Sequence, residues 1–336
     1  MGVIDDLASA AIGGRELDAC DAGRLVAASE ADPFELFHAA NRIRRHFKGD
    51  GVQLCSIVNA RSGGCSEDCR FCAQSSRHRT GAARYAMLDA SMLLEAGRAA
   101  AGLGAACFGI VTSGRGPGGE GDVAAVGEVA ARLEGVRPSA SLGSLTPEVA
   151  ARLRAAGLRR YHHNLETARS FFPEVCTTHT YDDRLATVRT AKAAGFEVCC
   201  GGIFGLGESW RHRIELAIEL RGLGVESVPV NFLNPVPGTP LEGREPLPAL
   251  EGLRIIALYR FLLPRADIRT AGGRGRCLGD LQSWMFYAGA NATMIGNYLT
   301  TAGRPPEQDL AMIRGLGLRI ERAPARERPG DRGKNG

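Results

Sequence analysis

The chain has 336 residues, of which 44% are hydrophobic and 23% charged, and its formal net charge is +4. These values suit one α/β barrel of roughly 250 residues with terminal additions, and they argue against a disordered chain, a collagen-like repeat or a disulfide-stapled miniprotein. The charge is small and the 38 arginines, against three lysines, do not cluster, so nothing calls for a nucleic-acid surface. No run approaches the roughly 18 to 20 apolar residues of a membrane span, and the amino terminus lacks a basic stretch followed by an apolar core, which predicts a cytoplasmic protein with no membrane partner. Ten cysteines in a reducing compartment point to metal or redox chemistry rather than disulfides.

Residues 1–48 are predicted as a helical extension, with Phe34, Leu36, Phe37, Ala40 and Ile43 on one face and Arg42, Arg44 and Arg45 mostly on another. Beyond it, short β-branched runs alternate with stretches of helical period. The predicted strands are 52–58, 106–112, 139–142, 160–164, 197–203, 227–232, 267–270 and 292–295, and the helices between them include 89–103, 121–133, 147–156, 181–194 and 210–223. This alternation fits a (β/α)8 barrel of the TIM type over residues 49–320, whose active site belongs at the carboxyl ends of the strands. Residues 321–336 are polar without apolar periodicity and are predicted as a disordered tail.

After the first strand stand Cys65, Cys69 and Cys72 in a C-x3-C-x2-C spacing. Three thiolates so close together can bind three irons of a cubane cluster and leave the fourth iron without a protein ligand. The competing reading is zinc, which asks for a fourth Cys or His nearby; His78 is the nearest histidine in sequence. His78, His162 and His163 show no metal-ligand spacing among themselves and are taken as structural or surface residues. The glycine-rich run from Ser113 is taken as a loop, and no Ser-His-Asp arrangement is supported.

The triad spacing is the signature of the radical S-adenosylmethionine enzymes, and the surrounding stretch Ser62-Gly-Gly-Cys-Ser-Glu-Asp-Cys-Arg-Phe-Cys-Ala-Gln-Ser-Ser76 closely resembles the biotin synthase family. So do His162-His-Asn-Leu-Glu166, Val198-Cys-Cys-Gly-Gly-Ile-Phe-Gly-Leu-Gly-Glu208, Asn231 with Pro237-Gly-Thr-Pro240 downstream, and Ile268-Arg-Thr-Ala-Gly-Gly-Arg274, all in the family's order. The resemblance implies a [4Fe–4S] cluster on Cys65, Cys69 and Cys72 that cleaves S-adenosylmethionine to a 5′-deoxyadenosyl radical. It implies sulfur insertion into dethiobiotin to form biotin, a flavodoxin- or ferredoxin-type reductant, iron–sulfur assembly proteins as partners, and a homodimer. By the same resemblance, Gly201, Gly202, Gly205 and Gly207 flank the methionine end of S-adenosylmethionine, and Arg184 pairs with its carboxylate, a pairing that suits the guanidinium fork. Asn164 contacts ribose and substrate. Glu166 stands where the family has a shorter aspartate holding the ribose hydroxyls. Asn231 serves the ureido ring of dethiobiotin, with a backbone-satisfied interior asparagine as the plainer alternative.

The family's auxiliary [2Fe–2S] cluster is held by three cysteines and an arginine. Gly109 and Ser139 occupy two of those cysteine positions here, leaving Cys199 and Arg269. Strand alternation points Cys107 to the same face as Gly109, and Cys55 faces the interior from the first strand. Cys55, Cys107 and Cys199 are therefore expected to converge around a differently ligated auxiliary cluster, either [2Fe–2S] or larger, with Arg269 nearby; buried apolar cysteines are the alternative. Cys200 is expected to point outward, Cys277 to lie in a loop, and Cys20 and Cys176 to be structural. Two other functions stay open: a related enzyme acting on a different small substrate without sulfur insertion, and a non-catalytic iron–sulfur or zinc module.

Overall fold

The structure, a computed structural model, describes residues 2–323. Three helices come first: α1 (Val3–Ile12), α2 (Ala19–Ala31) and α3 (Pro33–Lys48). Asp18 caps α2 in a reciprocal capping box, and Asp32 caps α3, with Pro33 in its first turn, where a missing N–H costs nothing. Leu36, Phe37, Ala40 and Ile43 are buried as the helical period requires, whereas Phe34 is half exposed.

The barrel strands follow: β1 (Gly51–Arg61), β2 (Cys107–Thr112), β3 (Arg137–Ser141), β4 (Arg160–His162), β5 (Glu197–Cys199), β6 (Gly202–Phe204), β7 (Ser227–Phe232), β8 (Asp267–Thr270) and β9 (Ala292–Met294). All pair in parallel, and β9 returns to β1, closing the barrel. The strand expected over 197–203 is two short pieces, because the chain leaves the ladder at Cys200 and Gly201; both pieces pair with β7, so they act as one stave. A Cβ on Gly201 would meet the Pro229 carbonyl oxygen at 2.1 Å, so only glycine admits this approach. A tenth strand, β10 (Arg319–Glu321), pairs with Gly51–Gln53. Glu321 thus ends a strand rather than opening a tail, and the rest of the expected tail, from residue 324, lies outside the described residues.

Helices α4 (Ala90–Gly102), α5 (Glu120–Arg132), α6 (Pro147–Ala155), α7 (Tyr181–Ala193), α8 (Trp210–Gly222) and α9 (Ala249–Leu262) pack around the barrel. Val52, Leu54, Phe108, Ile110, Val198, Val228 and Ile268 turn outward into this helical layer and form the main core. The alternate residues, Cys55, Ile57, Gly109, Ser139, His162, Cys199 and Arg269, turn inward and line a cavity. The fold is a closed parallel (β/α)8 barrel with a helical extension, as expected. Among the described residues no helix is long and apolar enough to cross a membrane.

Candidate active site

The loop between β1 and α4 carries the three thiols. It is pinned on itself by Cys65 N–H donating to the Gln74 carbonyl at 3.0 Å and Ser76 N–H donating to the Cys65 carbonyl at 2.7 Å. Cys65, Cys69 and Cys72 together line a cavity of about 220 Å³ that also reaches Asn164, Glu166 and Arg184. Burial pushes the Cys72 thiol up to about 11, and a hydrogen bond to Cys176 together with burial raises Cys69 far above the ordinary thiol range. A cation that binds thiolates removes that cost. Three thiols facing one cavity that continues to polar residues fit a cubane with an open corner.

The neighbours of Cys69 come from a segment remote in the chain. Cys176 lies 3.7 Å from it, sulfur to sulfur, and His179 Nδ1 lies 3.2 Å from Cys176. The donor atoms of Cys69, Cys176 and His179 could gather around one metal ion. Both nitrogens of His179 are already engaged, however: Arg184 Nε donates to Nε2 at 3.0 Å, and Nδ1 faces Glu67 Oε2 at 2.5 Å. A zinc ion there would also leave out Cys65 and Cys72. Only an alignment showing which residues recur around the triad, or the fold itself, could have revealed this group.

Asn164 and Glu166 lie just beyond β4 rather than in it, and both line the triad cavity and the larger barrel cavity of about 350 Å³. Glu166 has a φ of +69°, a left-handed conformation rare for a glutamate. It is clamped by Ile203 N–H donating to its carbonyl at 2.7 Å, and Gly202 lets the strands close, since a Cβ there would stand 2.6 Å from that same oxygen. Asn164 Nδ2 donates to Glu166 Oε2 at 3.3 Å, and Arg184, near the start of α7, donates to the Asn164 carbonyl at 2.8 Å and approaches Glu166 Oε1 at 3.4 Å. The amides of Gly205 and Gly207 turn onto the Glu208 carboxylate, at 3.0 and 3.1 Å, and Arg213 holds that carboxylate at 2.9 Å. Among the described residues lining the two cavities, Gly201, Gly202, Gly205 and Gly207 do not figure; Gly201 and Gly202 back Glu166, whose N–H donates to the Gly201 carbonyl at 3.2 Å, while Gly205 and Gly207 lie against Leu247 and Arg244.

Asn231 lines the barrel cavity with its amide bridging two strands' ends: Nδ2 donates to the Gly202 carbonyl at 3.1 Å, and Oδ1 accepts from Gly272 N–H at 2.9 Å. One N–H and one lone pair remain for a ligand.

Deeper in the barrel, Cys55 and Cys107 are register partners on β1 and β2, and Cys199 enters from β5. Arg269 Nη1 lies 3.5 Å from the Cys199 sulfur, while its Nε and Nη2 are buried without a hydrogen-bond partner. Burial works against the Cys199 thiolate, yet His162, Arg269 and Arg160 outweigh it and lower the thiol to about 7. Cys107, accepting from Cys55 and facing Arg160 and Arg269, is lowered as well, and Cys55 is raised. Three thiols, two buried guanidinium groups and unsatisfied N–H donors facing them are costly in a plain core; they fit an anionic iron–sulfur group. At the two family positions, Gly109 offers no donor atom and Ser139 Oγ sits 3.4 Å from Cys107, so the family's own three-cysteine set does not fit. Cys200 packs outward into the core, Cys277 lies in a short helix (Arg274–Leu278) with its thiol directed to the Leu247 carbonyl, Cys20 is exposed, and His162, assigned a structural role from sequence, lines both cavities.

Two family models match the chain: the Radical SAM superfamily over residues 60–220 and the Biotin and Thiamin Synthesis associated domain over residues 229–319. It is 52% identical over 319 residues to the biotin synthase of Geobacter sulfurreducens and 54% identical over 320 residues to that of Trichlorobacter lovleyi, covering 94% of this chain and 97% and 96% of those proteins. The chain belongs to the biotin synthase family. It is a radical S-adenosylmethionine enzyme that inserts sulfur, with a [4Fe–4S] cluster as cofactor and dethiobiotin and S-adenosylmethionine as substrates, and the family carries an auxiliary [2Fe–2S] cluster. Two solved structures share the fold: methylornithine synthase, with TM-score 0.82 at 22% identity over 94% of this chain and 97% of that one, and a maturase of the [FeFe]-hydrogenase, with TM-score 0.81 at 15% identity over 95% and 75%.

Proposed function

We propose that this chain makes biotin from dethiobiotin with the residue roles that follow. One observation carries the reading: the thiol triad and the sulfur-lined barrel cavity meet at Asn164 and Glu166, which line both. Cys65, Cys69 and Cys72 would hold the cubane, which supplies the electron that cleaves S-adenosylmethionine to methionine and a radical able to remove hydrogen from unactivated carbon. Arg184 gives a fixed cation for the methionine carboxylate. Glu166 and Asn164 hold the ribose, at the junction where the reacting carbon must stand against the substrate. Asn231 positions the ureido ring with its remaining donor and acceptor. The apolar wall formed by Ile57, Val111, Ile203 and Met294 keeps water from the radical.

Cys55, Cys107 and Cys199, with Arg269 beside them, would hold the auxiliary cluster, which supplies the sulfur atom. Their set differs in position from the family's at Gly109 and Ser139, so the group they hold is either a differently placed [2Fe–2S] rhomb or a larger cluster. A cytoplasmic location, a flavodoxin- or ferredoxin-type reductant, cluster-assembly partners and a homodimer belong to the same reading. Anaerobic incubation of the cluster-loaded protein with dethiobiotin, S-adenosylmethionine and reductant tests it. Biotin and 5′-deoxyadenosine are expected. Deoxyadenosine without any thiolated product would favour a different substrate, and absence of deoxyadenosine would favour a non-catalytic metal module.

A further inference from the structure

Below the sulfur cage the barrel floor is charged. Gln53, Arg137, Glu197 and Asp267 each precede an inward residue of the cage by two positions, Cys55, Ser139, Cys199 and Arg269 in turn, so they face the same way one step lower. A barrel of this type ordinarily fills its interior with branched apolar side chains. Here the floor residues instead line a chamber of about 620 Å³, roofed by the strand starts and bounded by the loop joining α1 and α2. Six basic side chains against four acidic ones face it, giving an excess of positive charge suited to a small anion.

Arg160 connects this chamber to the substrate cavity, since it lines both. It is 3% exposed, and its charge acts on Cys107 and Cys199 above it. Below, one oxygen of Glu197 accepts from Arg160 Nη2 at 2.9 Å, Arg160 Nε at 3.2 Å and Arg137 Nη1 at 2.7 Å. Glu197 is itself 42% exposed. A carboxylate shared by two guanidinium groups and open to solvent is a ligand another monoanion can replace on the same donors.

A cluster that gives a sulfur atom to product must regain one before the next turnover. With the residue roles proposed above, the upper mouth is the path of two organic substrates, which would fill it while the reaction runs. We propose that the floor chamber is an inlet for hydrosulfide, which passes to the auxiliary cluster along Arg137 and Arg160 as Glu197 yields its position on them. This rests on the assignment of an auxiliary cluster to Cys55, Cys107 and Cys199. Refilling leaves the sulfur at the sulfide level: one hydrosulfide enters the position vacated by the donated sulfur and its proton goes to solvent in the floor chamber, and in the resting cluster the same path gives exchange, one hydrosulfide entering as another leaves.

The test uses cluster-loaded protein without reductant, mixed with 34S-labelled sulfide, and reads the isotope fraction of the acid-labile sulfide over time. The cubane's share is subtracted with Cys199→Ala protein. Saturating dethiobiotin and S-adenosylmethionine close the upper mouth of the wild type. Label is expected to enter the auxiliary cluster at a rate unchanged within about twofold by those ligands, and to slow by roughly tenfold or more in Arg137→Glu, with Arg137→Ala in between. Loss of labelling when the two ligands are added would overturn the proposal without any variant. So would wild-type labelling rates in both Arg137 variants. A preparation showing only the cubane in its Mössbauer spectrum before labelling would instead overturn the cluster assignment beneath it.

Discussion

Replacing Gly202 with alanine probes how the cofactor wall is built. The new Cβ would stand 2.6 Å from the Glu166 carbonyl oxygen and 2.7 Å from Leu216 Cδ2. The leucine can rotate. The carbonyl must retreat by about 0.8 Å to reach ordinary contact, and it is held by Ile203 N–H at 2.7 Å in a residue already at φ +69°. Overpacking of this kind costs about 1 to 3 kcal/mol, and weakening one buried hydrogen bond adds about 1 kcal/mol. The side chain of Glu166 moves with its backbone, and displacement of a positioning group by such a distance lowers binding by roughly tenfold. Anaerobic equilibrium binding of S-adenosylmethionine, with iron content and thermal midpoint measured on the same samples, checks both effects. The expected result is normal iron, a lowered midpoint and weakened binding. A lowered midpoint with wild-type affinity would show that Glu166 does not hold the nucleotide, and an unchanged midpoint would show that the wall is not crowded.

Asp309 and Arg274 form an ion pair at 2.5 Å, with side chains 0% and 2% exposed, joining the helix Pro306–Gly315 to the β8 exit. Asp309→Ala leaves the guanidinium buried and uncompensated and is expected to lower unfolding free energy by about 3 to 5 kcal/mol in denaturant titration. Asp183, which caps α7, is held below the usual carboxylate range by the Thr180 N–H at 2.9 Å and the Thr180 hydroxyl. A lowered pKa stabilises above the unfolded value and loses that contribution as pH falls through the folded one, so wild type should exceed Asp183→Asn by about 0.5 kcal/mol at neutral pH, with the gap closing in acid. Iron and sulfide counting with Mössbauer spectra on Cys55→Ala, Cys107→Ala and Cys199→Ala should show a weakened or lost second cluster and an intact cubane in each; an unchanged second signal in all three would refute the ligand set. Cys176→Ala should keep the cubane's iron, because the thiol touches Cys69 without belonging to the triad.

What could be read from sequence followed period and local motif. Two-residue alternation along β1, β2 and β5 was enough to aim Cys55, Cys107 and Cys199 inward and Cys200 outward, because a buried strand admits no other facing. The placement of Cys176 and His179 beside the triad is not legible in sequence because their partners, Cys69 and Glu67, are over a hundred residues away along the chain. The backbone of Glu166 escaped as well, since no glycine marks its left-handed turn; the glycine that permits it is Gly202, on another strand. Helix α9 was missed for a different reason. Leu253, Ile255, Ile256, Ala257, Leu258 and Phe261 are buried on all sides between the barrel and the amino-terminal helices, so the segment shows no amphipathic period. The charged barrel floor was likewise hidden, because Arg137, Arg160 and Glu197 read as ordinary strand-edge polar residues until closure of the barrel brings them together.

With Cys65, Cys69 and Cys72 as its protein ligands, the cubane would have one iron free for the methionine end of S-adenosylmethionine. Electron–nuclear double resonance on the reduced protein, with 15N and 17O placed in the methionine amino and carboxylate groups, measures this directly. Hyperfine coupling from both labels to the cluster spin, absent in Cys69→Ala, is the predicted outcome. A cluster spin that ignores both labels, or a protein that purifies with one tetrahedral zinc and no cluster, would contradict it.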